Sequence, residues 1–121
     1  MTEPQQDEAY RELQREYLDE LPRSLAELRA ALVAFRRGED TLPALKTGLH
    51  RLAGSGGSYG FPEISEIARA AEHFVMTGPR PEEADRLEEA VHRLESVLTL
   101  SRARFAAGPD EPDSGKRAER R

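Results

Sequence analysis

Apolar side chains recur along this chain at steps of three and four residues, and the recurrence stops where proline or glycine intervenes. Residues so spaced share one side of a helix, so the pattern predicts amphipathic helices. Five segments follow from it. The first runs from about Asp7 to Glu20 and stops before Pro22, which disfavours the α conformation at Leu21. The second covers about Pro22 to Arg37, with Leu21, Leu25, Leu28, Leu32 and Phe35 on one face and Gly38 as terminator. Asp40 or Thr41 caps a third, which tolerates Pro43 in its first turn and carries Leu42, Leu45, Leu49 and Leu52. A fourth opens near Pro62 and bears Ile64, Ile67, Ala71 and Phe74 before Gly78. The fifth begins at Pro81, where Glu82 and Glu83 suit the positive end of the helix dipole, and continues through Leu87, Val91, Leu94, Leu98 and Phe105.

No stretch alternates strictly between apolar and polar residues, so no sheet is expected. Amphipathic helices joined by short links pack antiparallel, which predicts an all-α, up-down four-helix bundle over residues 7–107. The additional N-terminal helix would lie across that bundle or extend it. Residues 1–6 read as a flexible start, and residues 108–121, GPDEPDSGKRAERR, as a disordered polar tail without apolar anchors.

Composition narrows the function. At 121 residues, 37% hydrophobic and 34% charged, the chain has the size and make-up of one small helical domain. It has no cysteine, which removes disulfides, thiolate metal sites and thiol nucleophiles. No apolar run approaches the roughly 18 residues of a membrane span, and MTEPQQDE is unlike a signal peptide. A cytoplasmic, monomeric protein without a membrane partner is therefore expected. The net charge of -5 argues against nucleic acid as a partner, since such binding relies on Lys and Arg at phosphates.

One stretch breaks the helical economy. GLHRLAGSGGSYGF, residues 48–61, places Gly54, Gly56, Gly57 and Gly60 just after His50. A glycine inside a helix costs about 1 kcal/mol relative to alanine, so the cluster needs a cause. It is no phosphate loop: the Lys-Ser/Thr pair is missing, and Tyr59 stands where a GxGxxG finger starting at Gly54 needs glycine. Helix termination would need one glycine. Gly56 extends the apolar stripe and suits close helix contact. If the helix continues, His50 sits at the edge of the stripe, with Lys46 and Thr47 one turn before it and Ala53, Gly54 and Gly57 after it. An imidazole on a face cleared of side chains lets a partner approach. His73 and His92 lie among charged residues and read as solvated, and no HxxxH or HxxEH spacing points to a metal.

HRLAGSGGSYGF resembles the signature of histidine-containing phosphotransfer (HPt) domains, through His50, Leu52, Gly54, Ser55, Gly57 and Gly60. The resemblance spans about residues 20–105. It implies a four-helix bundle whose second helix displays a histidine that takes a phosphoryl group from a receiver-domain aspartate and hands it to another receiver. The chain would be a phosphocarrier in a two-component phosphorelay, without catalytic turnover of its own. Imidazole, with a reference pKa of about 6.5, is a nucleophile at neutral pH without a dedicated base. The transfer needs in-line positioning and charge neutralisation, for which the receiver brings Mg²⁺, so this chain needs no cofactor.

The resemblance also assigns Glu72, on the next helix, to orient the ring through Nδ1. Its other reading is a surface carboxylate paired with Arg69. One position departs from the family: Ala53 stands where lysine usually neutralises the phosphoryl oxygens, and Lys46 or Arg69 is expected to supply that charge. The docking surface then comprises His50 with Lys46, Thr47, Arg51, Ala53, Gly54 and Gly57 and exposed parts of the fourth helix, with Ser55 in the phosphate environment. Two other readings remain. The chain could be a degenerate HPt-like adaptor that docks receivers without carrying phosphate, which Ala53 favours. Alternatively, His50 and Glu72 could form a general acid–base dyad, against which stands the lack of a second polar cluster.

Overall fold

Leu18, Leu21, Leu25, Leu28, Leu32 and Phe35 are all buried along a single helix, α1 (Glu3–Arg36), in which Pro22 is an interior residue. The computed structural model describes the backbone of residues 3–107 and the side chains from Asp7 onward, so the tail expected over residues 108–121 lies outside it. The break expected before Pro22 does not occur. Proline there cannot donate to the Leu18 carbonyl, and an interior proline costs about 3 kcal/mol. Each buried leucine contributes about 1.5–3 kcal/mol, and the stripe crosses Pro22 without losing register. A break would swing Leu18 and Leu21 away from the face that holds Leu25 and Leu28. The additional N-terminal helix is thus the first half of α1, which begins at Glu3 and not near Asp7.

Gly38, at φ +93°, turns the chain toward α2 (Leu42–Ser58), and α3 (Pro62–Met76) follows after Gly60 at φ +86°. Thr41 immediately precedes α2 as expected, yet its hydroxyl donates to the Ala31 carbonyl of α1 at 2.7 Å and caps nothing in α2. The last helix starts later than the sequence suggested. Pro81–Glu83 form a 3-10 turn, in which the Arg80 N–H donates to the Glu83 carboxylate at 2.7 Å, and α4 runs from Asp85 to Ala107.

Contacts between neighbours fix the direction of each helix. Tyr17 meets Ser55 while Leu28 meets Gly48, so α1 and α2 are antiparallel. His50 meets Glu72 while Gly56 meets Ile64 and Ser65, so α2 and α3 are too. The Arg86 guanidinium covers the Phe74 ring at 4.7 Å, joining the start of α4 to the end of α3. Arg29 of α1 bonds Glu88 at 2.6 Å and Glu95 at 3.1 Å, and Arg36 bonds Asp85 at 3.0 Å. The Glu88 hydrogen bond, helped by Glu95, raises the pKa of Arg29 and keeps it charged. The four helices close into an up-down bundle around the leucine core, with no strand among the described residues.

Helices α2 and α3 pack tightly at Gly56. A Cβ there would stand 2.9 Å from the Ser65 backbone nitrogen and 3.0 Å from Ile64. We expect Gly56→Val to destabilise the chain by about 1–3 kcal/mol through overpacking, read as a lower thermal midpoint. An unchanged midpoint would show that the two helices separate without cost.

Candidate functional site

Helix α2 continues through Gly54, Gly56 and Gly57 to Ser58, so most of the glycine cluster is helical. At about 100° per residue, the helix divides into a buried side and an open one. Leu45, Leu49, Leu52 and Gly56 face inward, whereas Lys46, Thr47, His50, Arg51, Gly54 and Gly57 are exposed. The His50 side chain is 75% exposed, and its Nδ1 lies 3.0 Å from Oε2 of Glu72, which is only 12% exposed. Glu72 follows buried Ala71 at the border of the α3 core face, and from there its carboxylate reaches across to α2. It meets the ring, and among the described residues no ion pair joins it to Arg69.

The glycines have different causes. Gly56 admits α3, and Gly60 holds a positive φ. A Cβ on Gly54 would meet nothing within 4 Å, so the packing of this chain makes no demand for glycine there. Gly54 sits one turn after His50 on the open side. A reason for its bareness must come from outside the molecule.

Two residues, one expected on the docking surface and one in the phosphate environment, lie elsewhere. Ala53 is 5% exposed and belongs to the core. The residue three places after His50 turns back toward α3, where Ser65 Oγ donates to the Ala53 carbonyl at 2.6 Å, while the residue four places on, Gly54, turns toward solvent. Ser55 points toward α1 and bonds the Tyr17 hydroxyl at 2.8 Å, away from the ring. Thr47 and Arg51 border a groove of about 500 Å³ between α1 and α2. Lys46 and Arg69 are exposed and form no salt bridge among the described residues. His73 and His92 are exposed as well.

Met76 is a further exposed residue of α3 that the sequence reading did not name. It lies one turn beyond Glu72, on the same edge of α3, and is 60% exposed. The signal was available, because Met76 falls off the stripe Ile64, Ile67, Ala71, Phe74. Among the described residues, no group of three His, Cys, Asp or Glu could hold a metal ion, and no helix is long and apolar enough to cross a membrane.

Comparison with known families places the chain. The family model described as Hpt domain matches residues 12–103. No curated protein and no solved structure matches the chain. Hpt domains are in general phosphocarrier modules that work with receiver domains in phosphorelays. With that match covering most of the bundle, the chain belongs to the Hpt domain family.

Proposed function

We propose that His50 is the phosphoacceptor, receiving a phosphoryl group from a receiver-domain aspartate and passing it to another receiver. The observation that carries this reading is an open imidazole whose Nδ1 rests on a mostly buried carboxylate, 3.0 Å away. A carboxylate at Nδ1 selects the tautomer that donates from Nδ1, which leaves the Nε2 lone pair facing solvent. That lone pair forms the N–P bond as the P–O bond of the aspartyl phosphate breaks. The electron pair of the broken bond leaves on the aspartate carboxylate, and the Nδ1 proton stays on the ring, bonded to Glu72. The reverse sequence unloads the ring onto the next receiver. Magnesium belongs to the receiver in this scheme, so the chain supplies a positioned nucleophile and a surface to dock on.

That surface centres on His50 with Thr47, Arg51, Gly54 and Gly57, flanked on α3 by Met76. Lys46 and Arg69 supply the positive charge that Ala53 does not. Replacing both with alanine should slow transfer or shorten the lifetime of phosphohistidine about two- to fivefold, as suits exposed charges. Equal rates and lifetimes in the double variant would remove them from the mechanism.

Glu72 gives the sharper test. Glu72→Ala should slow transfer from a phosphorylated receiver about 10- to 100-fold, the usual effect of losing a group that orients a functional histidine. Glu72→Gln retains an oxygen that accepts from Nδ1 and should lose less. The reverse order, or no loss in either variant, would contradict the orienting role.

A further inference from the structure

The glycine-rich end of α2 is a weak helix by composition, yet every carbonyl of its final turn finds a donor. Tyr59 N–H donates to Ser55, Gly60 N–H to Gly57 and Phe61 N–H to Gly56, the last at 2.7 Å. This pattern, with Gly60 at positive φ, is a Schellman ending. It leaves the carbonyls of Ser58 and Tyr59 without partners from α2 itself. Both partners come from α1. Gln14 Nε2 donates to Tyr59 at 2.9 Å, and the Tyr10 hydroxyl donates to Ser58 at 3.4 Å. One turn further along α1, Tyr17 bonds Ser55 and stacks on Tyr59 and Phe61, with ring centroids 4.9 and 5.7 Å apart. Burial raises the pKa of the Tyr17 phenol, the Ser55 hydrogen bond offsetting part of that, so its hydroxyl stays protonated.

Tyr10, Gln14 and Tyr17 lie three and four residues apart, on one face of α1. They grip the turn that follows Gly54 and Gly57, on the side of α2 away from His50. The same two donors press on Gly60, where a Cβ would meet Gln14 Nε2 at 2.7 Å and the Tyr10 hydroxyl at 2.8 Å. Glycine at 60 is therefore needed twice, once for its φ and once for the grip.

We infer that Tyr10, Gln14 and Tyr17 form a clasp that caps the phosphoacceptor helix from outside and keeps its bare face helical for a docking receiver. The clasp rests on the function proposed above. It answers a conflict in that surface: glycine clears room for a partner but weakens the helix that carries the ring. The stabilising groups sit on α1, across α2 from Glu72 and α3, with Tyr17 bordering the α1–α2 groove that Thr47 and Arg51 also line. Tyr10, Gln14 and Tyr17 are thus positioning residues. None of them touches the phosphoryl group.

The test compares the parent chain, Tyr10→Phe/Gln14→Ala, and Tyr10→Phe/Gln14→Lys, which restores a donor able to reach the Tyr59 carbonyl. In the alanine variant, amide hydrogen exchange at residues 57–61 should quicken about tenfold, while amides in the middle of α3 and α4 keep their parent rates. Transfer from a phosphorylated receiver should slow by a similar factor. Labelling by phosphoramidate, a small donor that needs only an open ring and releases ammonia, should not change. The lysine variant should recover part of both losses. Unchanged exchange at residues 57–61 would overturn the clasp. Faster exchange with undiminished receiver transfer would overturn its positioning role. A parent chain that neither donor labels would count against the phosphoacceptor reading, and the exchange data would still decide whether the clasp exists.

Discussion

Gly54→Val is expected to cut phosphoryl transfer from a receiver by about a hundredfold or more, since small misplacements of reacting groups cost that much. It should leave helicity and the melting temperature close to those of the parent chain. Both halves follow from one observation: a Cβ at position 54 meets nothing within 4 Å of the folded chain. Valine is no worse a helix residue than glycine, so the bundle has no reason to resist it. The branched side chain instead fills the space one turn beyond His50, on the open side of α2. An aspartyl phosphate arriving there could not bring phosphorus in line with Nε2. Labelling by phosphoramidate should survive, because a small donor can approach from another direction. Undiminished receiver transfer in a well-folded Gly54→Val chain would contradict the steric reading. Gly56→Val provides the contrast, since it strains the α2–α3 contact and harms the fold first.

The two glycines also show what the sequence could and could not reveal. The spacing of Leu42, Leu45, Leu49 and Leu52 was enough to place Gly56 on the buried side, and its tight contact with α3 agrees. The same spacing put His50 at the edge of that stripe and left it open. Ala53 was harder. It lies at the border of the core face, where a difference of one residue separates a side chain turned into the α2–α3 seam from one turned to solvent. Periodicity alone does not locate the neighbouring helix finely enough to decide such a position.

Pro22 illustrates a different limit. The local rule, that proline ends a helix, is sound for an isolated segment. Here burial of Leu18 and Leu21 in the same core as Leu25 and Leu28 outweighs it. The leucine register was visible across Pro22, and giving it more weight than the proline would have predicted one long helix.

The clasp was hidden for a third reason. Tyr10, Gln14 and Tyr17 bond groups 48, 45 and 38 residues away, and no local pattern encodes those pairings. Only the antiparallel arrangement of α1 and α2 brings them to the end of the glycine-rich turn. Glu72 was legible because a family resemblance supplied the partner that spacing could not.

The most direct measurement is labelling of the parent chain and of His50→Gln by a phosphorylated receiver, followed by a stability test of the label. The account predicts a phosphate on the parent chain that survives alkali, is lost in acid and is absent from His50→Gln. A label that persists in His50→Gln, or a receiver that binds the parent chain firmly yet leaves it unlabelled, would contradict it.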